Sequence, residues 1–227
     1  MAAISLEVRD GIHVMTLTNA INDNALTTST MHEYLAAFDQ VEHYQGETAL
    51  MITCEHEKTF CTGINLGWLE TQNEQEKQEF LHLFETVLCR LALLNAPTVA
   101  CINGNAYAGG AIMASATDFR LMRADRGRFC FPEVNIRIPF TTVSNAIAHL
   151  LPNKQALRTM MLTGAAYTGT ECFDNGIVDG LYDVDRLQTA SFEMAQKLAL
   201  KDRVTYASIR NLMRSDIATH LTHLTQS

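Results

Sequence analysis

Apolar and polar positions alternate along this chain in two distinct periods, and each period predicts an element. Ile4 to Val8 and His13 to Leu17 alternate around Asp10-Gly11, the pattern of a β-hairpin. After the loop Asn22-Asp23-Asn24, Thr27 or Thr28 is placed to cap a helix running to about Tyr44. Ala49 to Cys54, mostly apolar, predicts a second, buried strand; His56 to Gly63 predicts a loop. From Glu74 to Leu94, Phe80, Leu83, Phe84, Val87, Leu88 and Leu91 fall at helical spacing, and Pro97 marks the end of that helix. A buried strand follows at Thr98 to Ile102, then a turn at Asn103-Gly104-Asn105. A helix then begins at the Gly109-Gly110 pair and runs to Ala116, with almost no polar face.

Phe119 to Met122 predicts another strand. Pro132 and Pro139 bracket Glu133 to Ile138 as irregular or extended chain. Helices are expected at about Thr141 to Leu150 and Asn153 to Leu162, and a short one at Thr168 to Asn175, closed by Gly176. A strand at Gly180 to Val184 leads to a helix capped by Asp185 and ending at Leu200. A last helix covers Val204 to Met213, and after Ser215 the pattern predicts only a short polar tail. Strands alternating with helices, then helices alone, describe an α/β core over residues 1–183 with a helical C-terminal appendage over 184–227.

Composition narrows the function classes. Of 227 residues, 47% are apolar and 19% charged, enough for a sizeable core. A net charge of −8 removes the basic face that nucleic-acid binding needs, although local arginines can still meet an anionic ligand. Six scattered cysteines, without a C-x-x-C pair, read as reduced, buried thiols of an intracellular protein. The chain start lacks the pattern of a signal peptide, and no apolar run reaches the ~20 residues of a membrane span. The C-terminal His-Leu-Thr-Gln-Ser is neither a peroxisomal nor a lipidation signal, so a cytoplasmic location is expected.

An apolar helix opening at a diglycine puts bare backbone N–H groups, and the positive end of a helix dipole, inside the protein. Such a site suits negative charge, standing or developing. Around it, Asn103-Gly104-Asn105-Ala106-Tyr107-Ala108-Gly109-Gly110 resembles the N-G-x-A-x-x-G-G signature of the crotonase (enoyl-CoA hydratase/isomerase) superfamily. Phe60-Cys61-Thr62-Gly63-Ile64-Asn65-Leu66 resembles that family's F-x-x-G-x-D-L loop. Asn24-Ala25-Leu26, Pro132-Glu133, Leu162-Thr163-Gly164 and Gly176-Ile177-Val178 resemble four further segments, in the same order along the chain. Departures are Asn65 for the usual Asp, Ala108 for a usual glycine, Ile112 where hydratases carry a catalytic glutamate, and an early end to the chain.

The resemblance implies a crotonase-like spiral of ββα units. It implies an oxyanion hole from the backbone N–H groups of Ile64 and Gly109, and an acid/base role for Glu133. It also implies contacts to an acyl-CoA thioester from Ala25, Leu26, Thr62, Gly63, Gly110 and Ile112. Lys58 is a candidate for the phosphates of coenzyme A, and Trp68 and Phe140, with Leu69, Phe84, Leu88 and Val143, for the acyl tail. Coenzyme A enters as part of the substrate, and no separate cofactor or metal is expected. Family members form trimers or dimers of trimers, so a homotrimer or hexamer is expected.

Taken with the resemblance, the residues favour one reaction. Glu133 follows a proline in an apolar stretch, so its carboxyl is expected to be desolvated and its pKa raised. Asp118 reads as a structural carboxylate, and Asp125, among Arg123, Arg126 and Arg128, as a paired one. Water activation between two glutamates is not available with Ile112 in the second place. A Δ3-to-Δ2 double-bond shift in an enoyl-CoA needs only one base, and that is the expected activity, within fatty acid metabolism. The other readings are hydration, hydrolysis or another thioester reaction, and a non-catalytic acyl-CoA-binding subunit.

Overall fold

The computed structural model describes residues 2–226. The predicted hairpin forms as β1 (Ile4–Arg9) and β2 (Ile12–Leu17), antiparallel. Thr27 caps α1 (Thr28–His43) in a reciprocal capping box with Thr30. β3 (Leu50–Cys54) is wholly buried, in keeping with its largely apolar run, and buries Thr53 with it. The expected loop at 56–63 instead contains β4 (Thr59–Cys61), and a short α2 (Leu66–Glu70) follows, capped by Asn65. Asn73 and Glu76 box the start of α3 (Glu74–Leu93).

β5 (Thr98–Ile102) is followed at once by β6 (Asn105–Tyr107), where the pattern predicted only a turn. Then come α4 (Gly109–Ala116), β7 (Phe119–Arg123) and β8 (Arg128–Cys130). The segment expected to be irregular opens with one helical turn, α5 (Glu133–Ile136). α6 (Thr142–Ala148), α7 (Lys154–Thr163), β9 (Ala166–Thr168) and α8 (Gly169–Asp174) lead to β10 (Gly180–Tyr182). α9 (Val184–Ala199) has Asp183, not Asp185, at its cap; Asp185 lies in the first turn, where its charge favours the helix dipole. α10 (Arg203–Met213) precedes α11 (Ser215–Gln226), which replaces the expected polar tail. Its Ile217 is fully buried, with Leu221 and Leu224 packed on the core, an apolar stripe at helical spacing.

The strands sort into two sheets. One has the order β1-β2-β3-β5-β7-β10 and is parallel beyond the first hairpin; the other has the order β4-β6-β8-β9. Each successive unit, β3-β4-α3, β5-β6-α4 and β7-β8-α5, gives its first strand to the large sheet and its second to the small one. That is the spiral of ββα units. The face of the large sheet away from α4 is covered by α9, whose Leu187, Ala190, Ala195 and Ala199 pack with Ile12, Val14, Met51, Val99 and Leu121. All six cysteines are buried and unpaired.

A buried ion cluster ties the C-terminal helices to this spiral. Asp118, just after α4, accepts from the Thr98 N–H at 2.9 Å and pairs with Arg214 at 3.0 Å and Arg210 at 3.4 Å. The same guanidinium groups donate to carbonyls at the ends of α3 and α4: Arg214 to Ala92 and Ala116, Arg210 to Leu94 and Ala96. Helix C-termini leave such carbonyls without intrahelical partners, so the arginines cap two helices at once. Asp125, by contrast, forms its expected pair with Arg123 at the surface. Removing one partner from a buried ion cluster strands the other charges. Asp118→Ala is therefore expected to cost about 3–5 kcal/mol of unfolding free energy in urea titrations; a loss below about 1 kcal/mol would show that the arginines are held by carbonyls alone.

Candidate active site

Two short loops meet beside a cavity, and each is held by backbone hydrogen bonds. The first covers residues 59–65 and is joined almost residue by residue to 23–26. Thr62 N donates to Asp23 O at 3.2 Å, Asn24 Nδ2 to Phe60 O at 2.9 Å, Leu26 N to Gly63 O at 2.8 Å, and Asn65 N to Leu26 O at 2.9 Å. Asp23 and Asn24 both sit at positive φ, a conformation these two residue types tolerate better than most. In this ladder the Ile64 N–H is left without an acceptor among the described residues. Asn65 Oδ1 accepts from Trp68 N at 2.9 Å, so Asn65 supports the loop by capping α2.

The second loop is the entry to α4. All eight residues of α4 are buried, and no side chain caps its N-terminus, so the Gly109 N–H is also unpartnered. Gly110 allows the helix to lie against the first loop: a Cβ there would stand 2.2 Å from Cys61 O. Gly63 does the same from the other side, since its Cβ would stand 2.5 Å from Gly109 N. Two free backbone donors, Ile64 and Gly109, thus lie on adjoining strands of chain. The positive end of the α4 dipole adds to their field.

Both donors face a cavity of about 290 Å³. Its wall is mostly apolar: Leu66, Leu81, Phe84, Ile112, Ile136, Ile138, Pro139 and Phe140, with Thr62, Thr141 and Ser144 as the hydroxyls. Glu133 is the only ionisable side chain on that wall among the described residues. It is 7% exposed, and its Oε2 has no hydrogen-bond partner. Burial therefore raises its pKa to about 7, a hydrogen bond from its own backbone N–H acting weakly the other way. The neighbouring Cys130 thiol is pushed up to about 11, by burial first and then by the Glu133 charge. No group of three or more His, Cys, Asp and Glu suited to a metal occurs among the described residues.

Of the residues singled out from the sequence, Thr62, Ile64, Gly109, Ile112, Glu133, Phe84 and Phe140 come together on this wall. Gly63, Gly110 and Leu26 lie behind it and set the loop geometry. Ala25 is buried in the same ladder, and Lys58 is exposed on the turn before β4, off the wall. Trp68 packs edge-on against Phe80 at 5.3 Å, and Leu69, Leu88 and Val143 are core residues, so these four do not line the cavity. Leu66, Leu81, Ile136 and Ile138 line it and were not singled out. Their signal was apolar residues left over on segments whose other apolar positions satisfy the core.

Residues 7–226 match the sequence model described as enoyl-CoA hydratase/isomerase. Enoyl-CoA delta isomerase 2, peroxisomal, of Arabidopsis thaliana is 29% identical over 94% of this chain and 92% of its own length. The short-chain-enoyl-CoA hydratase of Clostridium acetobutylicum is 26% identical over 96% of this chain and 85% of its own. Among solved structures, a probable enoyl-CoA hydratase of Mycobacterium tuberculosis superposes with a TM-score of 0.89 at 22% identity, covering 97% of this chain and 92% of that one. At that identity the likeness concerns the fold.

The Glu133 environment has a consequence for stability. Between about pH 4.5 and pH 7 the unfolded chain ionises Glu133 while the folded protein keeps it protonated, so this group makes stability fall as pH rises through that window. Glu133→Gln keeps the shape without the proton. It is expected to match the parent below pH 4.5 and to exceed it by roughly 3 kcal/mol at pH 8, measured by urea unfolding at each pH. Equal stability across the range would mean that Glu133 is ionised freely in the fold.

Proposed function

This chain belongs to the enoyl-CoA hydratase/isomerase, or crotonase, family, and we propose that it shifts the double bond of a 3-enoyl-CoA to the 2-trans position. The observation that carries this reading is one unpartnered carboxylate in an apolar cavity whose wall has Ile112 where a second acid would be needed for hydration. Above its pKa, Glu133 takes a proton from C2 of the substrate. The electron pair moves into the thioester as a dienolate, and its oxygen is held by the Ile64 and Gly109 N–H groups. Glu133 then returns the proton to C4, which leaves the double bond between C2 and C3. No atom is gained or lost, and no cofactor is needed beyond the coenzyme A of the substrate. The apolar wall keeps water from the intermediate, which supports isomerisation over hydration.

Thr62, Gly63 and Gly110 support the acyl thioester in this reading, Ala25 and Leu26 the coenzyme A, and Lys58 its phosphates. The distal acyl chain meets Phe140 and Phe84. The free thiols fit a reducing compartment and support a cytoplasmic site of action; the peroxisomal part of the Arabidopsis name belongs to that protein. No helix among the described residues is long and apolar enough to cross a membrane. Val204, Ile209, Leu212 and Met213 leave an exposed apolar surface on α10, which supports self-association, as a trimer or hexamer.

Purified protein is expected to convert 3-hexenoyl-CoA to 2-hexenoyl-CoA and to hydrate crotonyl-CoA far more slowly. Hydration of crotonyl-CoA without the isomerisation would reverse the assignment. The kcat/KM of the isomerisation should fall about tenfold per pH unit below a midpoint near 7 and level off above it, and Glu133→Gln should abolish turnover. Leu212→Asp is expected to shift light-scattering mass from oligomer to monomer; an unchanged mass would place the contact elsewhere.

A further inference from the structure

Ala108 is the residue before the Gly109 donor, and its backbone has φ 48° and ψ −124°. Glycine takes such a conformation freely, and alanine takes it only under strain. The surroundings impose it: Ala108 N donates to Cys130 O at 3.0 Å, and Ala108 O accepts from Ile112 N at 2.9 Å. The methyl group is therefore carried at a cost, and it stands on the cavity wall. It lies 3.1 Å from the point where a Gly63 side chain would begin, and that same point is 2.5 Å from Gly109 N. Gly63 in turn precedes the other donor, Ile64. The two residues that adjoin the donors thus meet each other, with the Ala108 methyl at their contact.

We propose that the Ala108 methyl is a spacer that sets the separation and direction of the Ile64 and Gly109 N–H groups, which makes Ala108 a positioning residue. This rests on the reading of those two groups as the thioester oxyanion site. Without Ala108 Cβ the entry to α4 and the 59–65 loop gain freedom to close on each other or to rock. Donors that are no longer held in advance of charge development stabilise it less, while ground-state binding is little affected. The strained residue is then kept for activity rather than for stability.

The test compares Ala108→Gly and Ala108→Ser with the parent in three measurements: melting temperature, kinetics on 3-hexenoyl-CoA, and the carbonyl 13C shift of bound hexanoyl-CoA labelled at C1. Ala108→Gly should melt no lower than the parent and bind hexanoyl-CoA within about threefold of it. Its kcat should be lower by about tenfold or more, with a smaller downfield carbonyl shift. Ala108→Ser keeps the Cβ and should stay near the parent in all three. A parental carbonyl shift that is unchanged in Ala108→Gly, or a kcat within twofold of the parent, would overturn the spacer alone. So would a loss carried by weaker binding, or a melting temperature lowered by several degrees. A parent that polarises no carbonyl would instead remove the oxyanion reading beneath it.

Discussion

Backbone lying directly on backbone is the constraint that the rest of this molecule accommodates. Cys61 to Ile64 and Ala108 to Gly110 approach so closely that neither Gly63 nor Gly110 has room for a Cβ. That approach extends the small sheet beyond its strands, because the first stretch leaves β4 and the second leaves β6, adjacent parallel strands of that sheet. It also leaves two backbone donors on residues that line the cavity. Two loops pressed together with little more than the Ala108 methyl between them leave two N–H groups without an acceptor among the described residues. Hydrogen-bond donors left free in a buried place are costly unless something arrives to use them.

The charge balance of the cavity follows from the same close approach. One wall offers donors and a helix dipole, and another offers a carboxyl whose pKa burial raises to about 7. With greasy side chains over most of the remaining surface, the field of those few polar groups is little screened. Behind α4, Arg214 of the buried ion cluster donates to the Ala116 and Thr117 carbonyls at the opposite end of the helix. α4 is thus held at its C-terminus by the C-terminal helices and left open at its N-terminus toward the cavity.

Much of this was legible in the residues. The hairpin around Asp10-Gly11, the cap before α1, and the buried strands β3 and β5 follow from period and turn chemistry. Glu133 was legible because a carboxylate after a proline in an apolar run has few places to go except a desolvated one. The strands of the small sheet were not legible. β4, β6, β8 and β9 are each three residues long, too short for an alternation to register, and their pairing is decided by the spiral rather than by local propensity. α5 was hidden by the prolines on either side, yet Pro132 suits the position before a helical turn. α11 carried a readable stripe at Ile217, Leu221 and Leu224, but its threonines and histidines outweighed it. Trp68 misled for the opposite reason: a large aromatic near the loop reads as pocket lining, whereas its better partner was Phe80 in the core.

The Asp118 cluster also bears on how the chain is made. Arg210 follows Asp118 by 92 positions, and Arg214 is later still. At ribosomal speeds of roughly 5–20 residues per second, a nascent chain therefore carries Asp118 for on the order of 5–20 s before its arginines are synthesised. Through that interval α3 and α4 lack the cations that cap their last carbonyls. The α4 entry and its free donors thus reach their final setting only after translation has passed α10, so the oldest loops of the chain wait for some of its youngest residues.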